Sequence, residues 1–279
     1  MLSHQLSGSA GLIGLLVTYL LDLSGIMTFL LYQYSLFESN LISFERCRAF
    51  TKVEVENDAN TKLPVANYSR SWPESGEIEF KNYYAKYRPN LPFVLKDVSF
   101  KIHGSEKIGV VGRTGSGKST TLLSLLRIIE AHAGQIFIDN VDISQIGLDD
   151  LRKKITIIPQ DPLLYKGTLK QNLDLLGIYS EAQMWKALEK VCMKDKFLEA
   201  GLESEVKEGG ENLSAGEKQL ICIARAILNK NKIILVDEAT SSIDNVTEEA
   251  ILESIKENFK DCTVITIAHR LKTIISSDR

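Results

Sequence analysis

The chain has 279 residues, of which 44% are hydrophobic and 25% are charged, so it has enough apolar sequence for a substantial core. Its formal net charge of −3 leaves no overall basic field to attract a polyanion, which argues against a nucleic-acid partner. The four cysteines lack the paired spacing of a metal site, and we expect free thiols in a reducing compartment.

The first segment of the chain is strongly apolar. Between residues 10 and 37 the only charged side chain is Asp22, and the run is long enough for about one membrane crossing. Arg46, Arg48 and Lys52 follow, which places that end in the cytosol, and no basic segment precedes the run as in a secretory signal. A carboxylate inside a span is costly, so we expect Asp22 to face protein or water. A soluble amphipathic helix that packs on a partner is the alternative.

A polar stretch separates this segment from the rest of the chain. Residues 54–76 are rich in proline, asparagine and serine, and we predict a linker there. Residues 78–87 and 94–102 then have the apolar pattern of strands and are predicted to form an antiparallel sheet. The chain is therefore divided into residues 1–53, the linker, and a folded domain over residues 77–279.

The next feature is a glycine-rich loop. Residues 112–120 read GRTGSGKST, which fits the phosphate-loop pattern, and the apolar run 108–111 precedes them as a strand. Glycines let successive backbone N–H groups face a triphosphate, and a helix from about Ser119 adds its positive end. We expect Lys118 to reach the β- and γ-phosphates and Ser119 to coordinate Mg²⁺. The alternative is an incidental glycine-rich turn, and a chance match to the phosphate-loop pattern is expected in about 1% of chains of this length. The predicted contacts are Gly112, Arg113, Thr114, Gly115, Ser116, Gly117, Lys118, Ser119 and Thr120.

A helical region follows. Between residues 161 and 231 the pattern is that of helices, and we predict an α-helical subdomain inserted into the core. Ser180 and Gln183 have the spacing of a capping box, as do Ser214 and Glu217. A capped helix start that is rich in free N–H groups is also a phosphate site, so the second box has a functional interpretation beside the purely structural one.

A short apolar run, residues 233–236, predicts a buried parallel strand that ends in two carboxylates. The carboxyl edge of an α/β sheet is where such folds bind ligands. Asp237 is predicted to organise the metal, and Glu238 to polarise an attacking water. Many strands end in surface carboxylates, and it is the phosphate loop that makes this pair indicate ATP hydrolysis.

Six stretches in this order resemble an ATP-binding cassette domain, and more narrowly the second nucleotide-binding domain of the multidrug-resistance-associated, or C, subfamily of exporters. They are YRPNLPFVLKDVSF from Tyr87, GRTGSGKST, KITIIPQDPLLYKGTLKQNLD from Lys154, GGENLSAGEKQLICIARAIL from Gly209, VDEATSSID from Val236 and DCTVITIAHRLKTI from Asp261. The resemblance covers nearly the whole chain. It implies an α/β P-loop NTPase fold with a mostly parallel core sheet, an antiparallel β subdomain and an inserted helical subdomain, preceded by a transmembrane helix with a cytosolic extension.

The resemblance, and not the spacing of residues, implies four further roles. Tyr87 would stack on adenine, Gln160 would sense Mg²⁺ and the γ-phosphate, and His269 would contact the γ-phosphate. The loop 242–244 would couple two sites. From the residues alone, each of these would be an ordinary packed aromatic, strand-end polar group or structural histidine.

Two cassettes of the resembled kind close head to tail, so that each phosphate loop faces the signature helix of the other. Ser214 and Gly216 would then serve the opposing site. The predicted catalytic residues are Glu238, His269 and Gln160; the predicted metal ligands are Ser119, Gln160 and Asp237; the predicted cofactors are ATP and Mg²⁺.

Two residues depart from the common L-S-G-G-Q signature of the family. Ala215 adds only a methyl group near the phosphate. Glu217 keeps the capping box but replaces a neutral amide by a negative charge, which we expect to weaken the site that this helix completes.

The resemblance implies ATP-driven export of organic anions or conjugates. Residues 1–53 would be part of a transmembrane domain, and residues 77–279 a cytosolic cassette truncated at its C-terminal end. The implied partners are a second cassette, the transmembrane domains of a multi-pass transporter, membrane lipid, and a small-molecule substrate bound elsewhere. The alternatives are an ATP-gated regulatory or channel-type member, an inactive fragment, and a soluble cassette ATPase.

Overall fold

The structure, a computed structural model, describes residues 2–53, 56, 71–237, 245–267 and 277–279. The chain divides into two units, Met1–Glu56 and Asn57–Arg279, which are considered separately below.

The first unit is built on one long helix, α1, Leu2–Phe50. At about 1.5 Å per residue its 49 residues extend over about 70 Å, more than twice the hydrocarbon thickness of a bilayer. Leucine, isoleucine and aromatic side chains are exposed at consecutive positions and therefore on all sides of the helix. By length and composition, the part Gly11–Phe50 is able to cross a membrane.

An antiparallel sheet begins the second unit. Its strands are β1 (Ile78–Ala85), β2 (Leu95–Ile102), β4 (Ala133–Ile138) and β5 (Val141–Asp142), in the order β2-β1-β4-β5. A bulge at Asn82, where φ is +44°, interrupts the pairing of β1 with both neighbours. The extra residue restores the buried face, so Tyr83 and Ala85 point to the same core as Ile78 and Phe80.

A parallel sheet forms the centre of the unit, as predicted. Its strands are β3 (Lys107–Val110), β6 (Ile155–Ile158), β9 (Ile233–Asp237) and β10 (Thr263–Ile267), in the order β3-β10-β9-β6. All three pairings between them are parallel, so their carboxyl ends share one edge.

The remaining elements are helices and a small two-stranded pair. The helices are α2 (Lys118–Leu125), α3 (Leu148–Lys154), α4 (Leu169–Leu173), α5 (Glu181–Lys190), α6 (Lys194–Phe197), α7 (Ala215–Asn229) and α8 (Asn245–Asn258), and the pair is β7 (Gly167–Thr168) with β8 (Glu205–Val206). Short 3-10 helices span Ile143–Gln145 and Glu208–Gly210. The predicted capping box of Ser180 and Gln183 is present at the start of α5.

The parallel sheet lies between two hydrophobic clusters. Ile234 and Val236 of β9 enter one cluster, which they share with α4, α5 and α7, while Ile233 and Leu235 enter the other, which they share with the antiparallel sheet, α2 and α3. Alternate residues of a strand point to opposite faces, so this one apolar run holds three layers together. All four cysteines are free, as expected from their spacing.

The segment before β1 is fastened to the antiparallel sheet. The Asp139 carboxylate accepts hydrogen bonds from the backbone N–H groups of residues 74–77 and from the Ser75 hydroxyl. The buried indole of Trp72 donates to the Ile138 carbonyl over 3.0 Å. Residues 71–76 of the predicted linker are thereby packed with the folded unit.

We predict that Asp139→Asn lowers the free energy of unfolding by about 1–2 kcal/mol, because charge-assisted bonds on a partly exposed group are lost. Burial raises the pKa of Asp139, but the hydrogen bonds from residues 75–77 outweigh it and hold the pKa below its ordinary value of 3.8. The stabilisation is therefore present above that value and is lost as the pH falls through the lower, folded-state pKa.

Denaturant unfolding of wild type and variant from pH 7 down to acid pH measures this difference. Asp97→Asn is the matched control, because Asp97 also has a positive φ and accepts a bond from Asn82. A difference for Asp139→Asn that matches the control, or that does not shrink in acid, would contradict the assignment.

Candidate nucleotide-binding site

The predicted phosphate loop lies between β3 and α2. The helix starts at Lys118, one residue earlier than expected. Gly115 and Gly117 have φ of +82° and +95°, and a Cβ on Gly117 would lie 2.9 Å from Leu95. A Cβ on Gly112 would lie 2.6 Å from the Ser116 hydroxyl. The tight curl of the loop therefore depends on glycine.

Lys118 is buried inside this curl, with 8% of its surface exposed. Its ammonium donates to the carbonyls of Gly112 and Arg113 over 2.9 and 3.2 Å. No carboxylate is paired with it in the described part of the chain. A buried cation that only neutral carbonyls hold is suited to receive an anion.

Tyr87 reaches the same loop from the connection between β1 and β2 of the antiparallel sheet. Its hydroxyl lies 3.0 Å from that of Thr120, and half of its surface is exposed. The sheet thus places an aromatic ring with open surface beside the start of α2. The side chain of Ser119 is exposed as well, next to the buried Lys118.

The register of the parallel sheet brings the other predicted residues to this edge. Asp237 ends β9 opposite Ile267, and Ile267 also pairs with Val110, which precedes the phosphate loop. Gln160 is exposed two residues after the end of β6. The loop, Asp237 and Gln160 therefore lie at or just after the carboxyl ends of strands, along one edge of the sheet. Glu238, His269 and the loop 242–244 lie outside the described residues.

The predicted capping box of α7 is present. The Ser214 hydroxyl accepts from the Glu217 N–H over 3.2 Å, and the Glu217 carboxylate accepts from the Ser214 N–H over 2.9 Å. Ser214 is exposed and Gly216 is buried. The contacts described for these residues do not reach the phosphate loop of the same chain.

Sequence reasoning missed Gln219, which lies on the buried side of α7 and is only 1% exposed. Its amide donates to the Pro159 carbonyl over 3.0 Å, directly before Gln160. The helix is thereby tied to the strand end that carries Gln160. An amide among the apolar residues of an amphipathic helix was the available signal.

A loop that curls around a lysine at the carboxyl edge of a parallel sheet, followed by a helix start, is the arrangement of a P-loop nucleotide-binding domain. The family model described as ABC transporter matches residues 95–241, more than half of the chain, and the chain belongs to this family. The predicted fold class is confirmed, and the domain is one that binds nucleotide.

Named relatives agree with this assignment. The chain is 47% identical over 272 residues to ATP-binding cassette sub-family C member 3 of Homo sapiens, and 46% identical over 273 residues to Multidrug resistance protein mrp-7 of Caenorhabditis elegans. These alignments cover 96% and 97% of this chain but 18% of each relative. The predicted resemblance to the C subfamily is confirmed, and the chain spans less than a fifth of the length of these relatives.

A solved structure is similar as well. A bacterial Atm1-family ABC exporter with ATP bound matches with a TM-score of 0.74 and 31% identity, over 86% of this chain and 42% of that one.

We predict that Lys118→Met lowers the affinity for ATP about 10- to 100-fold, because charge-assisted hydrogen bonds to phosphate are lost. Titration calorimetry on the full chain in detergent measures the effect. Lys81→Met is the matched control, since Lys81 is an exposed lysine of the same unit that pairs with Glu79. Equal ATP affinity in Lys118→Met and in this control would contradict the site.

Proposed function

We propose that this chain is the ATP-binding and ATP-hydrolysing part of a membrane exporter and that it works with a second cassette. The observation that carries the proposal is the buried Lys118 ammonium in a glycine-dependent loop at the sheet edge shared with Asp237 and Gln160. Family membership agrees with nucleotide as the ligand.

The phosphate loop binds the triphosphate. The amides of residues 112–120 and the ammonium of Lys118 neutralise the β- and γ-phosphates, and the start of α2 adds its positive end. Tyr87, which already contacts Thr120, offers an open ring face for adenine. Binding therefore uses connections that follow strands of both sheets of the unit.

The residues at the sheet edge fit Mg²⁺ held jointly with phosphate. Among the described residues, no group of three or more histidine, cysteine or acidic side chains could hold a metal by itself. Ser119, Gln160 and Asp237 offer oxygen ligands, which Mg²⁺ prefers together with phosphate oxygens. When bound, the ion neutralises charge that develops on the phosphates.

Hydrolysis is assigned to residues that directly follow the sheet. Glu238 comes directly after Asp237 at the end of β9. We propose that Glu238 accepts the proton of the attacking water. The water oxygen then bonds to the γ-phosphorus as the bond between the γ-phosphorus and ADP breaks. His269, two residues after Ile267 of β10, is assigned to contact the γ-phosphate. Gln160, two residues after the end of β6, is assigned to sense Mg²⁺ and the γ-phosphate. Glu238 is proposed from its position directly after the strand, and His269 from the resemblance to the cassette family.

A second cassette completes the sites. We assign Ser214 and Gly216 to the nucleotide bound by the partner's phosphate loop, since the capped start of α7 presents backbone N–H groups and Ser214 is exposed. The loop 242–244 would couple the two sites. Each chain thus supplies parts of two sites and a complete set for neither.

The transport setting rests on α1 and on the relatives. Between residues 11 and 37 the helix exposes apolar side chains on all sides, which favours lipid or other membrane helices over water and disfavours a soluble cassette ATPase. The names of the similar proteins describe multidrug resistance and export. We propose organic anions or conjugates as the exported class, bound by transmembrane domains of the partner halves, with the cassette in the cytosol.

We predict that Glu238→Gln lowers ATP turnover about 100-fold or more while ATP still binds, because the proton acceptor is lost but the phosphate loop is intact. Turnover and binding are measured on the full chain reconstituted in lipid with its partner halves. Glu249→Gln, an exposed position on α8, is the matched control.

Unchanged turnover in Glu238→Gln would contradict the hydrolytic role and identify an ATP-gated regulator. If the wild-type assembly bound no ATP, the chain would be an inactive fragment.

A further inference from the structure

Both oxygens of the Glu217 carboxylate have partners at the start of α7. Oε2 accepts from the Ser214 N–H over 2.9 Å, as the capping box requires. Oε1 lies 2.5 Å from the ammonium of Lys196, and 28% of the Glu217 and 41% of the Lys196 side chain are exposed. The negative charge that distinguishes this signature helix is therefore matched by a cation from another helix.

Packing holds Lys196 in place. It belongs to α6, the four-residue helix Lys194–Phe197, whose last residue is buried in the hydrophobic cluster of the helical region. Lys194, two positions earlier, pairs instead with Glu189 over 2.9 Å. The two lysines of α6 thus have separate acidic partners, and the one beside Glu217 is directed to the start of α7.

The charge on Glu217 matters because of what lies next to it. The backbone N–H groups of Ala215 and Gly216 lie in the first turn of α7, where a helix offers them no acceptor of its own. Burial raises the pKa of Glu217, but the hydrogen bonds from Lys196 and Ser214 outweigh it and lower the pKa, so the group is ionised at neutral pH. Without a counter-charge, a carboxylate within one helical turn of these amides would repel an incoming phosphate.

We propose that Lys196 is a positioning residue for the composite nucleotide site. It cancels the charge of Glu217 and holds the carboxylate in the capping box, so that the start of α7 accepts the γ-phosphate of the nucleotide on the opposing cassette. The inference rests on the proposed function and attributes the compensation of the Glu217 charge to its ion pair with Lys196. It differs from the expectation that Glu217 by itself weakens the site, which stays a prediction.

The pair makes a pattern of effects that a merely structural lysine would not make. Lys196→Met leaves Glu217 uncompensated, and the ATP-analogue concentration for half-maximal pairing of two cassettes rises about three- to tenfold. Glu217→Gln stays within about twofold of wild type, because the amide needs no counter-charge. The double variant returns to the level of Glu217→Gln. The deficit of Lys196→Met also shrinks in high salt.

The experiment uses the fluorescently labelled full chain and its labelled partner halves in one lipid nanodisc, titrated with a non-hydrolysable ATP analogue and Mg²⁺. Energy transfer between the two cassettes measures pairing. Lys194→Met is the matched control, since it breaks an ion pair that the same helix makes with Glu189 of α5 and not with Glu217. Lys118→Ala reports on the phosphate loop itself.

The result expected is a deficit for Lys196→Met that Glu217→Gln rescues, and none for Lys194→Met. A Lys196→Met titration equal to wild type, or a deficit that Glu217→Gln does not rescue, overturns the role of Lys196 while the proposed function stands, provided that Lys118→Ala abolishes pairing. If wild type does not pair with the analogue, or if Lys118→Ala pairs as well as wild type, the proposed function fails and this inference fails with it.

Discussion

The buried ammonium of Lys118 is the constraint on which the site depends. A cation removed from water requires partners, and here the carbonyls of Gly112 and Arg113 provide them. Those carbonyls converge only because Gly115 and Gly117 adopt positive φ and no Cβ obstructs the curl. The same curl ends where α2 begins, so a positive charge and a helix start meet in one place. An anionic ligand completes such an arrangement.

The sheet supplies the position of this loop. Each residue from Ile233 to Val236 is buried, and alternate residues enter opposite clusters, so both faces of the sheet are covered. The polar residue of β9 is then its last one, Asp237, and Gln160 follows the end of β6. The helical layer takes part in the same edge, because Gln219 of α7 bonds to Pro159. A movement of α7 would therefore shift the backbone next to Gln160.

Local patterns predicted most of the fold. The strand Ile233–Asp237 and the capping boxes of α5 and α7 were predicted from an apolar run and from residues three positions apart. The end of β1 was placed two residues too late, because its last pairing with β2 is at Ala85 and the apolar pattern does not mark where the pairing stops.

Contacts between distant residues could not be predicted. Asp139 and Glu74 are 65 positions apart and Gln219 and Pro159 are 60 apart, so only the folded backbone shows that they meet. The charge of Glu217 was evident from the sequence, but its neutralisation by Lys196 depends on how α6 packs.

A structure of the full chain with ATP and Mg²⁺ bound tests the account most directly. We expect the Lys118 ammonium to leave the loop carbonyls and to lie within hydrogen-bond distance of the β- and γ-phosphates. Nucleotide bound elsewhere, or a lysine that keeps its bonds to Gly112 and Arg113, would contradict it.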